Sequence, residues 1–451
     1  MLGWYELGHE CAGLVQGNLE ETDTLERKDP AMKRNIVLFL VGATLVGTAA
    51  YGQSKWNEKM QGLGKTFSEI LPLVAGSDPP QPAEQKKLEA AAEQLAQLAH
   101  TINMSPDTAP NSLLPEADPT LQYLSGLFDR DVKYANRSLK AGQVEHARGV
   151  LRKVSGYCIA CHTRHDKGPE FPTFEIDFGG KNLTPMERAD LLAATRQFEG
   201  ALEEYEKLVG DRNFATTRPF EWERAVRQAL NVSVRVKRDP ARAGALVDKV
   251  LAVDSGPQFF RSEVRAWKES IQMWQDERKK KPATTEGQLF EEAKRLNTAA
   301  RLKQQYPLDH SADILYLRAS AAVHELLSLA PNGKYASEAM LIAGNAYRLL
   351  GEPLVNPLPE MYFEACVRNS PHSSLARQCY ERFEESVYSS YSGSGGTFLP
   401  DDVRSLFMEL KTLAQEGPET PKPERLSRDV PPATCGSPKF HLPCRRLIFE
   451  Q

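Results

Sequence analysis

Four consecutive segments carry apolar residues at alternating spacings of three and four, and that rhythm limits what this chain can fold into. Trp56, Met60, Leu63, Phe67, Ile70 and Val74 form the first stripe, and Leu88, Ala91, Leu95, Leu98 and Ile102 the second. The third runs through Leu121, Leu124, Phe128, Ala135 and Leu139, the fourth through Val144, Ala147, Leu151, Val154, Cys158 and Cys161. A 3.6-residue turn gathers such positions on one helix face, which must then be buried against a neighbour. The breaks fall between the stripes: Gly76-Ser77-Asp78-Pro79-Pro80, a Pro-containing connection from Ser105 to Pro119, and Ala141-Gly142. Strand-like alternation is absent. We therefore expect an all-α fold that opens with an antiparallel four-helix bundle.

The fourth stripe ends in Cys158-Ile159-Ala160-Cys161-His162. C-x-x-C-H is the covalent attachment signature of c-type haem. Each thiol adds across one vinyl group, and the histidine becomes an axial iron ligand. One helical turn brings the three side chains to one side, so that they can grip a single porphyrin. A zinc site would need further Cys or His at matching spacing, and no second C-x-x-C exists. A thioredoxin-like redox pair would need a βαβ setting, which is missing. The expected cofactor is one haem c held by Cys158, Cys161 and His162, with its iron on His162. Because Cys158 and His162 extend the stripe beyond Val154, the haem is expected against the bundle interior.

Over residues 53–168 the chain resembles the cytochrome c-prime family, whose four-helix bundle carries C-x-x-C-H late in its last helix with a basic residue soon after. Arg164 takes that basic position. The resemblance implies the same haem-binding roles for Cys158, Cys161 and His162. The family divides on the sixth iron position: some members leave it vacant and bind small gases, while low-spin members fill it with a Met from the first helix. Met60 fits that second role, because it lies on the core stripe of its helix, and a thioether ligand raises the reduction potential. The alternative is that Met60 only packs in the core. His100 and Met104 are further candidates. His165 suits a propionate contact or an exposed imidazole, and His146 lies off the stripe. A homodimer is also open to such a bundle.

The N-terminus supplies a matching address. Met32-Lys33-Arg34 is a basic start, Ile36 to Val46 an apolar run, and Ala50-Tyr51-Gly52 a cleavage site before Gln53. Residues 32–52 thus read as a bacterial secretory signal peptide. The run is shorter than the roughly 20 residues of a membrane span, so no stable span is expected after cleavage, and the expected location is the periplasm. Residues 1–31 read as a gene-model extension. Of the seven cysteines, two serve the haem and Cys11 precedes the signal. Cys366, Cys379, Cys435 and Cys444 remain, an even number that suits disulfides in an oxidising compartment.

Residues 169–184 read as a linker. The helical region 185–415 behind it has a different organisation. Arg196 to Tyr205 contains an A-x-x-x-Y spacing, and Gly344-x-x-Tyr347 is followed by Tyr362-Phe363-Glu364-Ala365-Cys366 and Pro371. This region resembles a degenerate tetratricopeptide array, in which small residues let paired helices approach and aromatics fill the gaps. The departure is in period: Gly200-Ala201-Leu202 recurs at Gly244-Ala245-Leu246, against the family's repeat of about 34. We expect an α-solenoid, whose concave surface would bind protein or peptide, or alternatively would only dock onto the chain's own haem domain. Cys366 and Cys379 flank the turn Asn369 to Ser373, which predicts a disulfide across a helical hairpin. Residues 416–451, rich in Pro and charge, read as a disordered tail; Cys435 and Cys444 could close a loop within it. Glu203, Glu204 and Glu206 read as an exposed face, and Arg278-Lys279-Lys280-Lys281 as a solvated helix end.

A net charge of −4 points to neither nucleic acid nor an anionic membrane. Residues 53–170 balance 14 basic against 14 acidic residues, so no strong steering of a partner is implied. No Ser-His-Asp set, phosphate loop or paired-acid motif is present, and a peroxidase would need a second haem. The leading expectation is a non-enzymatic periplasmic monohaem cytochrome that carries electrons, docked to a redox or scaffold protein by its repeat domain. The alternative is a haem-based gas-binding or sensor protein with an open sixth site.

Overall fold

The computed structural model describes residues 57–75, 79–103, 118–166, 183–253, 258–277, 282–351 and 358–415. Within them the chain is all-α apart from one two-stranded hairpin, β1 (Ser392–Gly393) with β2 (Gly396–Thr397). The first helices are α1 (57–74), α2 (Pro82–Asn103), α3 (Pro119–Lys140) and α4 (Val144–His162). Then come α5 (Pro185–Ala194), α6 (Phe198–Gly210), α7 (Arg212–Thr217) and α8 (Pro219–Leu230), which runs into a π-helical segment, Asn231–Val236. The remainder are α9 (Pro240–Ala252), α10 (Gln258–Glu277), α11 (Glu286–Lys303), α12 (Asp313–Leu329) and α13 (Ala336–Leu350). Last are α14 (Leu358–Asn369), α15 (Ser374–Tyr391) and α16 (Asp401–Ala414). None of these helices is long and apolar enough to cross a membrane.

Local chemistry sets the helix starts. Asp118, Thr184 and Asp239 each cap a helix whose next residue is proline, and each side chain accepts a backbone N–H of the first turn. Proline at that position sacrifices no helical bond, and such a cap contributes about 1 kcal/mol. Between α3 and α4 the predicted Ala141-Gly142 turn is present. Gly142 takes φ 73°, and its N–H and that of Gln143 donate to the carbonyls of Leu139 and Ser138. A left-handed residue here costs a glycine nothing.

The stripes are buried as expected through Leu63, Phe67, Ile70 and Val74, then Leu88, Ala91 and Leu95. The same holds for Leu124, Phe128, Ala135 and Leu139, and for Ala147, Leu151 and Val154. Trp56 lies outside the described residues. Contacts Lys133–His100 and Lys140–Glu93 set α2 antiparallel to α3, while His146–Tyr134 and Arg164–Thr120 do the same for α3 and α4.

The cores do not follow chain order. Buried residues of α1–α4 form one cluster with most of those of α11–α16 and with Leu191 of α5, while most of those of α5–α10 form a second cluster, which reaches Ile159 of α4 and Ile314 and Leu317 of α12. A helical hairpin closes the far end. Cys366 of α14 and Cys379 of α15 form the predicted disulfide, their Cα atoms 6.1 Å apart. Gly344 lets α13 press on α14, since a Cβ there would meet the Phe363 ring at 2.3 Å. Glu204 and Glu206 are not simply exposed, as the sequence suggested. Both are half-buried, Glu204 held by Arg188 and Lys207 and Glu206 by Arg242 and Lys249. The segments 1–31, 32–52 and 416–451, the tail cysteines Cys435 and Cys444, the 278–281 run and all but the last two residues of the linker lie outside the described residues.

Candidate functional site

The C-x-x-C-H motif occupies the last turns of α4. Cys158 and Cys161 are half-buried and outside any disulfide. Burial, helped by the neighbouring Cys161, pushes the Cys158 thiol up to about 12. The motif does not simply face the interior of the first four helices. Cys158 packs against both clusters, and Ile159 belongs to the one formed by α5–α10. The reason is that α5 folds back onto α4, so the end of this helix is covered on more than its own apolar stripe.

His162 meets α5 directly: its Nδ1 lies 2.6 Å from the carbonyl oxygen of Ala194. A carbonyl only accepts, so Nδ1 carries the proton and the neutral ring has its lone pair on Nε2. Burial and the nearby Arg196 guanidinium pull the imidazole down to about 4, although the Ala194 carbonyl favours protonation. The ring is therefore neutral at pH 7. This tautomer, with its second nitrogen anchored on a carbonyl, is the state an iron-ligating histidine requires. The donor chemistry of Cys158, Cys161 and His162 thus fits haem c. Among the described residues no group of three or more His, Cys, Asp or Glu is arranged to hold a metal ion; a haem iron takes four ligands from its porphyrin and needs no such group.

Two arginines from beyond the motif hold the carbonyls that end α4. Arg196, in the left-handed region at φ 60°, donates to the carbonyls of His162 (3.2 Å), His165 (3.4 Å) and Asp166 (2.8 Å). Arg235, fully buried in the π segment, donates to the Thr163 carbonyl at 2.8 Å and to Thr163 Oγ1 at 3.0 Å. Thr163 spends its own hydroxyl proton on the Ile159 carbonyl and also accepts from Asn231. Guanidinium groups at a helix C-terminus complement its dipole and occupy carbonyls the helix leaves open.

Arg164 is more deeply built in than a surface cation. It is ion-paired with Asp118, the cap of α3, and donates to Thr120 at 2.6 Å and to the Tyr362 hydroxyl at 3.2 Å. His324 of α12 adds its Nδ1 at 3.4 Å from Asp118, while its Nε2 meets the Tyr347 hydroxyl at 2.8 Å. Burial raises the Asp118 carboxyl, but Arg164 and the hydrogen bonds outweigh it and hold it well below the carboxylate range. Burial depresses His324 to about 3 and lifts the Tyr362 hydroxyl well above its usual value. One buried polar network thus joins the end of the motif helix to α12, α13 and α14.

The other sequence candidates fall in different places. Met60 is half-buried on α1 against the first cluster, and no described contact brings it to His162. His100 is exposed beside Lys133. His146 is exposed on Tyr134, and His165 is half-buried; Met104 lies outside the described residues. Sequence reasoning missed Ala194, Arg196, Arg235, Asp118 and His324. The Ala194 contribution is a backbone carbonyl and carries no residue signal, whereas Asp118-Pro119-Thr120 was readable as a helix cap. Compared with protein-family models, with curated proteins and with solved structures, the chain matches none.

Proposed function

We propose that this protein is a periplasmic monohaem c-type cytochrome that carries electrons and docks to a redox or scaffold protein through its helical-repeat part. The observation that carries the reading is the His162 Nδ1 contact with the Ala194 carbonyl, directly behind a C-x-x-C pair that remains as thiols. Haem c, when bound, supplies an iron that cycles between ferric and ferrous. The chain's own residues do the rest. Cys158 and Cys161 would hold the group through thioethers, and His162 would present Nε2 to the metal. Arg196, whose guanidinium acts on the His162 ring, places positive charge near the site, which favours the reduced state, whereas the charge of Arg164 is balanced by Asp118.

In this reading α1–α4 form an antiparallel four-helix bundle of the cytochrome c-prime kind, and α5–α16 form a tetratricopeptide-like solenoid. The close approach at Gly344 supports the second half of that description. Arg148 and Arg152 donate to carbonyls at the C-terminal end of α1, so they tie that end to the first half of α4. In an antiparallel pairing Met60, nearly four turns back along α1, lies toward the motif end, which supports it as the sixth ligand. The buried Cys366–Cys379 disulfide supports an oxidising compartment and hence secretion.

The visible spectrum of periplasmically matured protein, with and without carbon monoxide, tests all of this. A low-spin reduced spectrum unmoved by the gas is the expected result. A high-spin spectrum that shifts on its addition would make the protein a gas binder or sensor with an open sixth site. Absence of covalent haem sinks both readings.

A further inference from the structure

A cleft of about 150 Å³ opens between α11, α13 and α15, far in sequence from the motif. Its polar wall consists of Arg301, Gln304, Tyr316, Asn345, Arg348 and Arg382, with Glu385 beside them. Arg348 and Arg382 both bond to Glu385, at 3.1 and 2.7 Å. Three guanidinium groups therefore face one carboxylate, an excess of two positive charges. All three arginines lower the Tyr316 hydroxyl's titration against the burial that raises it, so they share one field. Arg301 and the Asn345 amide make no hydrogen bond or ion pair with the described residues, which leaves donors available in the cleft.

The last turn of α11 and the loop after it form one lip of this cleft and expose apolar side chains. Leu302, Tyr306 and Leu308 are 83%, 52% and 74% exposed. The backbone beneath them is pinned by Gln304, which donates to the Tyr306 and Pro307 carbonyls at 2.9 and 3.1 Å. Asp309 accepts the Gln305 N–H at 2.7 Å and donates its own N–H to the Tyr306 carbonyl at 3.0 Å. Large apolar groups held rigidly in water beside unpaired donors are preorganised for a partner, because little ordering entropy remains to be lost.

We propose that this cleft and its apolar lip form the docking surface for an acidic, amphipathic segment of a partner protein. Its carboxylates would bond Arg301, Arg382 and Asn345, since Arg and carboxylate pair in bidentate geometry. Its leucine-like side chains would cover Leu302, Tyr306 and Leu308. The assignment names the surface and the chemistry behind the docking role proposed above; it does not depend on the haem.

Fluorescence anisotropy of full-length, periplasmically matured protein tests it with three labelled twelve-residue peptides. One alternates glutamate pairs with leucines, one replaces the leucines by serine, and one replaces the glutamates by lysine. The Glu/Leu peptide should bind at least tenfold more tightly than either control. Arg301→Glu with Arg382→Glu should weaken it by tenfold or more, and Leu308→Ser by several-fold, with helical circular dichroism and the haem spectrum unchanged. Equal binding of the serine peptide identifies a bare anion site and overturns the proposal, as does binding indifferent to the arginine reversals. Peptide binding by protein lacking covalent haem removes the cytochrome reading and leaves this one standing; a correct haem spectrum without peptide binding does the reverse.

Discussion

The two cysteine pairs of this fold meet opposite fates. Cys158 and Cys161 sit on neighbouring turns of one helix, half-buried, and stay as thiols. Cys366 and Cys379 face each other across a helical hairpin, fully buried, and are joined. Side chains one turn apart on a helix lie along the same face, whereas antiparallel neighbours bring theirs together across a gap. In this fold the pair along one helix is left unjoined and the pair across the hairpin is crosslinked. The motif end adds an anchored imidazole to its two thiols, and the hairpin adds only apolar packing.

The sharpest break in this comparison is chemical. If haem c is bound as proposed, Cys158→Ser with Cys161→Ser should abolish a pigment that survives acid–acetone extraction, whereas Cys366→Ala with Cys379→Ala should leave it intact. Loss of pigment in both double variants would erase the distinction drawn here. Next in size comes the network behind the motif. Asp118→Ala leaves Arg164 buried without its counter-charge and should cost about 3–5 kcal/mol in urea unfolding. A cost under about 1 kcal/mol would mean that water reaches Arg164 and that the α4 end is not locked.

Breaking the hairpin disulfide should cost less, about 2–4 kcal/mol, because the bond closes a short loop. The same loss on adding reductant to the wild type, and none in the double alanine variant, would assign it to the bond. The smallest effect concerns pH, measured per unit. His324 is held near 3 by burial, facing Asp118 of α3, Arg164 of α4, Arg235 of the π segment and the Tyr347 hydroxyl. The unfolded chain takes up a proton near pH 6.5 and the native one does not. Its contribution to stability is therefore complete above about 6.5 and declines on acidification, by about 1.4 kcal/mol per unit. Replacing it with glutamine should flatten that slope between about pH 6 and 4.5; an unchanged slope would place the proton elsewhere.

Much of this architecture was legible in the chain. The three-and-four stripes gave the buried faces of α1–α4, and Cys366 and Cys379 gave the crosslinked hairpin; the Asp-Pro and Thr-Pro helix starts were present in the sequence but were not used. What escaped was what depends on distant partners. The sequence marked Arg164 only as the basic residue after the motif and did not single out Arg235, because nothing local announces that Asp118, Thr163 and two tyrosines await them. The sharing of a core between α1–α4 and α11–α16 also has no local signature. For the candidate site, Cys158, Cys161 and His162 were plain from spacing, while the anchor of His162 is a main-chain oxygen that any residue at 194 could supply.

The contact between His162 and Ala194 also bears on timing. Once α5 has closed over the end of α4, the ring is pinned, Arg196 holds the last carbonyls and the Cys158 thiol resists ionisation. Thiols in that state react slowly. If haem is attached at Cys158 and Cys161 as proposed, attachment is expected to precede the docking of α5, while the chain is still open. Haem offered to the native apoprotein should load far more slowly than haem present during refolding. Equal loading by both routes would show that α5 opens freely. On the proposed reading, maturation is a race between a cofactor and a helix, and the helix has to arrive second.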